Sequence, residues 1–248
     1  ASRVFGTSAF NGAINIVTKK AKNDGVSASV EGGSFGSFGA QGRVQTAYAK
    51  GKWTHAYSAS GGYKRSDGGT DNSDFEKGQG FGQVNLSYDQ CFDINAQVGI
   101  STQSYGANTF YSAKYNNQYE KTDHGMASLN LSLHNQEKTW EIAPQFYYNK
   151  FKDHYQLIRG KAGAAAGENY HDLDVYGGGL NANVAWALGK TAVGFDISKE
   201  CIYSTALGEE LAEKDYKDIS GSDRQYTRKG ERTNTNIMLE HNFIFGGF

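Results

Sequence analysis

The chain has 248 residues with 25 Lys+Arg against 26 Asp+Glu, a formal net charge of −1, and so lacks the basic excess of a dedicated nucleic-acid binder. Gly is 32 and Pro 1, with Tyr 16 and Phe 14, a balance that leans to aromatic, glycine-rich strands. Hydrophobic residues are 38%, and no run approaches the roughly 18 apolar residues of a membrane helix. A polar soluble β-protein and a membrane barrel with half-polar strands both meet these bounds. Cys91 and Cys201 are too few and too far apart in sequence for a disulfide framework.

Ala1-Ser2-Arg3 opens directly into a motif with no signal peptide before it, so the segment is expected to begin downstream of any export signal. The motif is Phe5-Gly6-Thr7-Ser8-Ala9-Phe10-Asn11-Gly12-Ala13-Ile14-Asn15-Ile16-Val17-Thr18-Lys19-Lys20. Glycines and small residues precede an alternating apolar run and two lysines, which reads as a tight turn feeding a short strand. The spelling resembles the closing segment of the plug domain in TonB-dependent outer-membrane receptors, Tyr/Phe-Gly-x-x-Ala-x-Gly-Gly-x-Ile-Asn-Ile-x-Thr-Lys-Lys. Phe5, Gly6, Ala9, Gly12, Ile14, Asn15, Ile16, Thr18, Lys19 and Lys20 match it, and Asn11 stands where a second glycine is usual. The resemblance implies that residues 1–22 end a plug and that 23–248 form the N-terminal part of an antiparallel transmembrane β-barrel in a bacterial outer membrane. It further implies binding and import of a scarce nutrient at the outer face, without covalent chemistry. Its implied partners are outer-membrane lipid, the TonB complex and a surface lipoprotein.

From 25 onward the hydrophobic period is two. Phe92, Ile94, Ala96, Val98 and Ile100 alternate with Asp93, Asn95, Gln97, Gly99 and Ser101. Ala127, Leu129, Leu131 and Leu133 stand against Ser128, Asn130, Ser132 and His134. Trp140, Ile142, Phe146 and Tyr148 repeat the pattern, as do Ile237, Leu239, Phe243 and Phe245. Each such segment has one apolar and one polar face. We expect about ten strands, at 26–33, 38–49, 53–65, 79–89, 92–103, 124–134, 139–152, 172–187, 191–204 and 232–245. Short connections near 50–52, 89–91, 135–138 and 188–190 alternate with long ones at 66–78, 105–123, 153–170 and 206–231; 34–37 is the one short exception on the long side. Outer-membrane barrels connect strands in this way, by short periplasmic turns and long extracellular loops. Trp53, Trp140 and Trp186 all fall near short turns, joined by Tyr48, Tyr88 and Phe92, as an interfacial girdle requires. A complete receptor has 22 strands, so ten either close on themselves or await strands from elsewhere, and open edges invite pairing with another chain.

No enzyme motif stands out. The Gly32-Gly33, Gly61-Gly62 and Gly177-Gly178-Gly179 runs lie in strand-like surroundings and serve strand bending or close backbone approach. Asp153-His154 and His171-Asp172 flank one loop; a His–Asp pair there could activate water in an outer-membrane enzyme, or the charges are simply solvated. Asp67, Asp71 and Asp74 offer hard oxygen ligands to calcium on a flexible loop, or form a hydrated acidic turn. The third long loop carries Tyr105, Asn108, Phe110, Tyr111, Tyr115 and Tyr119, rings and amides suited to stacking on a flat ligand and bonding its edge; packing against neighbouring loops is the alternative. The phrase Ala107-Asn108-Thr109-Phe110-Tyr111-Ser112-Ala113-Lys114-Tyr115 resembles one in Bacteroidetes receptors similar to cobalamin receptors, which implies cobalamin or a related organometallic or siderophore-like ligand. The competing readings are a ten-stranded barrel enzyme acting on peptide or lipid, and a soluble or structural β-protein.

Overall fold

The computed structural model describes residues 18–243. The motif at 5–16 and the terminal Phe245 and Phe248 lie outside these residues. Ten long strands follow the chain: β1 (Gly25–Gly32), β2 (Phe38–Lys50), β3 (Trp53–Ser66), β4 (Phe75–Tyr88), β5 (Phe92–Gly106), β6 (Tyr119–His134), β7 (Trp140–Gln156), β8 (Glu168–Trp186), β9 (Gly189–Ser204) and, after three two-residue strands, β13 (Arg228–Phe243). The short strands are β10 (Glu209–Glu210), β11 (Lys217–Asp218) and β12 (Gln225–Tyr226). One antiparallel sheet runs β1-β2-β3-β4-β5-β6-β7-β8-β9-β13-β10, and β11 pairs β12 apart from it. The ten long strands pair in chain order, each with its sequence neighbour, and the short β10 adds beyond β13. β1 and β13 are not paired with each other, so the sheet is open among the described residues.

The ten expected strands are all present, but six reach three or more residues further toward the long connections than alternation predicts. β4 starts at Phe75, β6 at Tyr119, β8 at Glu168 and β13 at Arg228, β5 continues to Gly106 and β7 to Gln156. At these ends both faces are polar, so a hydrophobic period cannot register them. Cross-strand pairs accompany the ladder there: His154 Nε2 lies 2.8 Å from Glu168 Oε1, and Lys199 Nζ 3.0 Å from Glu231. The long connections shrink accordingly to 67–74, 107–118 and 157–167.

Register assigns the two faces. Val98 lies opposite Gly82 and Ala127, Leu129 opposite Phe146, and Leu180 opposite Phe195. These residues share one face, and no second layer of described residues covers it. Val98 is 59% exposed, Ile237 78% and Leu239 74%. Rings collect along the short-turn edge of that face: Trp53 packs on Tyr88 at 5.0 Å and Trp186 on His241 at 5.7 Å.

The opposite face is polar and packed side chain to side chain. Asn95 Nδ2 donates to Asn85 Oδ1 at 2.7 Å, and Gln97 Nε2 to Asn95 Oδ1 at 2.9 Å. Ser132 Oγ donates to Glu141 at 2.6 Å. Thr18, one of the three motif residues within the described region, accepts from Gln97 Nε2 at 3.1 Å and so lies on this polar face. Burial is therefore inverted relative to a soluble core. Gln83, Asn85, Gln118, His134 and Ser204 are buried, whereas the buried apolar residues among those described are Ala21, Ala56, Ala107, Ile219 and Tyr226.

Gly177 on β8 shows what the glycine run does. A Cβ there would sit 2.6 Å from the Tyr147 ring and 2.7 Å from the Ile197 carbonyl oxygen, so the ring of β7 crosses the backbone of β8. Gly177→Ala is expected to cost about 1–3 kcal/mol through overpacking. A urea titration that leaves the midpoint unmoved would contradict this packing.

Candidate ligand-binding site in the loops

The connections 67–74, 107–118 and 157–167 meet at one residue, Asn72. Its backbone is left-handed (φ 50°), a conformation asparagine tolerates better than most residues. Its Nδ2 donates to Gln118 O at 2.7 Å and Asn116 O at 3.2 Å, its Oδ1 accepts from Arg159 at 3.1 Å, and its carbonyl accepts from Asn108 N–H at 3.1 Å. Arg159 also clasps Asp74 with both terminal nitrogens, at 2.6 and 2.9 Å, and lies 4.9 Å over the Tyr119 ring. This fork geometry holds the Asp74 carboxyl below its usual range. The expected calcium ligands are not drawn together. Asp74 is taken by Arg159, Asp67 pairs with Arg65 at 2.9 Å, and the Asp71 carbonyl accepts from Asn108 Nδ2 at 2.8 Å.

A second anchor is Glu168, which is buried. Oε1 accepts from His154 at 2.8 Å, Tyr170 at 3.0 Å and Gln156 at 3.2 Å, and Oε2 from Gly163 N–H at 2.7 Å. Burial acts to raise its pKa, but these donors outweigh burial and bring it to about 2. Arg224 donates to the Glu168 carbonyl at 2.6 Å, tying the last connection to the fourth strand pair.

The aromatic residues of the third loop divide between the two faces. Tyr105, at the loop end of β5, and Tyr111 both donate to Glu120 Oε2 on β6, and their hydroxyls lie 3.1 Å apart. Tyr111 stands edge-on to Tyr155 at 5.4 Å and to Phe110 at 4.9 Å. Phe110 is 75% exposed, an aromatic surface with no protein cover. Tyr115 is half-buried beneath Lys114 and lies close enough to Tyr155 to perturb it electrostatically. Asn108 is spent on fastening its loop to the 67–74 connection. Tyr119 points to the other side of the sheet, toward His154 and Arg159. Of the six expected ligand residues, Tyr105, Phe110, Tyr111 and Tyr115 thus gather around Glu120, Asp153 and Tyr155, while Asn108 and Tyr119 are structural. Alternation hid Glu120 and Tyr155, which reach the group from a neighbouring strand and not from the loop.

The two His–Asp sequence pairs are separated by the same alternation. Asp153 lies opposite His171 across β7 and β8, whereas His154 and Asp172 project from the other face. His171 Nε2 is 4.0 Å from Asp153 Oδ2, and its Nδ1 is 2.8 Å from Ser204 Oγ. This line of Asp, His and Ser resembles a hydrolytic triad only in residue type. Ser204 is wholly buried and accepts from the N–H groups of Ala206 at 2.8 Å and Leu207 at 2.7 Å. Its proton is left for Nδ1 of a ring whose pKa burial holds below the ordinary histidine value. Ser204 closes a turn, with no room for a substrate carbonyl beside Oγ.

No family model matches the chain, and no curated protein matches it.

Proposed function

We propose that the chain is part of a TonB-dependent outer-membrane transporter, comprising the end of its plug and the first ten strands of its barrel. The observation that carries this reading is the inverted burial: apolar side chains face outward from a single sheet, while amides, hydroxyls and carboxylates pack on the opposite side. On β7 the apolar stripe runs from Trp140 to Tyr148. At about 3.3 Å per residue and a tilt of about 40°, that stretch rises roughly 23 Å, matching the apolar band of an outer-membrane barrel. Thr18 on the polar face supports a plug approaching from the lumen. A hollow of 640 Å³ between Gln41, Arg43, Phe81 and His124 supports an aqueous passage there. Among the described residues the outer edge of β1 and most of that of β13 carry no partner strand, and further strands of the parent polypeptide meet them.

In this reading the outer loops bind a scarce nutrient of the cobalamin or siderophore-like class, and energy arrives through TonB. Rings of Phe110, Tyr111 and Tyr115 stack on the ligand plane, while Glu120 and Asp153 accept from its edge. The Phe110 ring makes no polar contact, and its backbone bond to the Ala107 carbonyl survives substitution, so Phe110→Ala tests ligand contact without unsettling the fold. Titration of the full-length receptor with cyanocobalamin is expected to show about tenfold weaker binding, the loss of one stacked ring. Unchanged affinity in Phe110→Ala and Tyr115→Ala would refute the cobalamin assignment.

A further inference from the structure

Glu120 and Asp153 stand next to each other at the outer rim of the polar face without a lysine or arginine partner. Asp153 lies five residues beyond Tyr148, outside the proposed membrane band. Its Oδ1 is buried and receives no hydrogen bond, and Glu120 is the group within hydrogen-bonding reach of its carboxyl. Two carboxylates bond only through a proton that one of them carries. The groups facing the pair come from every side. Thr122 of β6 and His171 of β8 flank Asp153 in register, His171 at 4.0 Å. Tyr105 of β5 and Tyr111 of the third loop donate to Glu120, and Tyr155 lies above on β7. Among the described residues, no lysine or arginine forms an ion pair with either carboxylate; Lys121 and Lys152 project from the opposite face.

We propose that Glu120 and Asp153 share one proton, and that loss of this proton loosens the third loop, which the Tyr111 hydroxyl holds down on Glu120. The inference rests on the rim geometry alone and needs neither a membrane nor a nutrient. While the proton is present, one carboxyl donates to the other and Glu120 keeps both tyrosine donors. Once it leaves, two adjacent negative charges are held in a partly buried place, and the loop anchored there is the part free to move.

The pH window follows from the same contacts. Burial first, and then the Glu120 charge, raise the pKa of Asp153 to about 7. With the loop open, Asp153 is hydrated and its pKa drops toward the ordinary aspartate value of about 3.9. A raised acid favours the closed loop at low pH, and closure weakens as pH climbs from the open to the closed value, levelling off above it. Between pH 6 and pH 8 the closed-to-open ratio is expected to fall about tenfold.

The test is amide hydrogen exchange of residues 107–118 in the intact chain, corrected for the intrinsic pH dependence of exchange and run without divalent cations. Wild-type protection is expected to drop about tenfold from pH 6 to pH 8, with 157–167 unchanged. Asp153→Asn keeps a donor for Glu120 and removes the titration, so protection should stay high and flat. Glu120→Gln removes the second charge but leaves Asp153 buried, so its slope should be shallower than wild type without vanishing, which keeps the test decisive if the first variant misfolds. A flat wild-type profile, a slope that survives in Asp153→Asn, or a slope as steep as wild type in folded Glu120→Gln overturns the latch.

Discussion

Val98→Arg is expected to cost about 2–4 kcal/mol when the chain is embedded in a bilayer, the penalty for a cation at mid-depth on a lipid-facing strand. Val98 is more than half exposed, and its cross-strand neighbours are Gly82 and Ala127. Arginine therefore has room, and little packing is lost. In a water-soluble β-protein the same change would be close to neutral, as surface substitutions usually are. Urea unfolding of the parent receptor in lipid vesicles separates the two outcomes. An unmoved midpoint, together with a soluble monomer in the absence of detergent, would remove the membrane reading altogether.

Asn72→Ala is expected to disturb all three loops at once, although only one of them carries the change. The substitution deletes three side-chain hydrogen bonds worth about 1 kcal/mol each and puts alanine at a left-handed φ, adding about 1 kcal/mol of strain. A local loss of about 3–4 kcal/mol follows, and limited proteolysis should then nick 67–74, 107–118 and 157–167 with similar ease. Arg159→Ala should reproduce the pattern more weakly, since its ion pair with Asp74 is partly exposed to solvent. Cleavage confined to the mutated loop would show that Asn72 is not the common fastening.

Where one face is greasy and the other polar, the chain could be read strand by strand, as Phe92 to Ile100 and Ala127 to Leu133 demonstrate. Reading fails where that contrast disappears. Glu120 to Asp123, Asp153 to Gln156 and Glu168 to His171 carry polar groups on both faces, so what extends these strands is cross-strand pairing, which lies between distant positions. The geometry of the loops is hard to read for a related reason. Asp67, Asp71 and Asp74 look like a ligand set in a linear reading, yet an arginine more than eighty residues later claims Asp74. Asn72, between them, offered one signal, an amide residue in a turn-rich stretch, but nothing local revealed that it answers to two further loops. Asp153-His154 looked like a unit because the two are adjacent; in a strand, adjacency sends side chains to opposite sides.

The outward rows of amide and carbonyl groups on β1 and along most of β13 have a practical meaning. Each is a template for an incoming strand, and the eight residues of β1 carry Glu31 as their sole charge. Prepared alone, the chain should grow larger with concentration by joining edge to edge. Co-expressed with a polypeptide that supplies the complementary strands, it should instead yield a product of fixed stoichiometry.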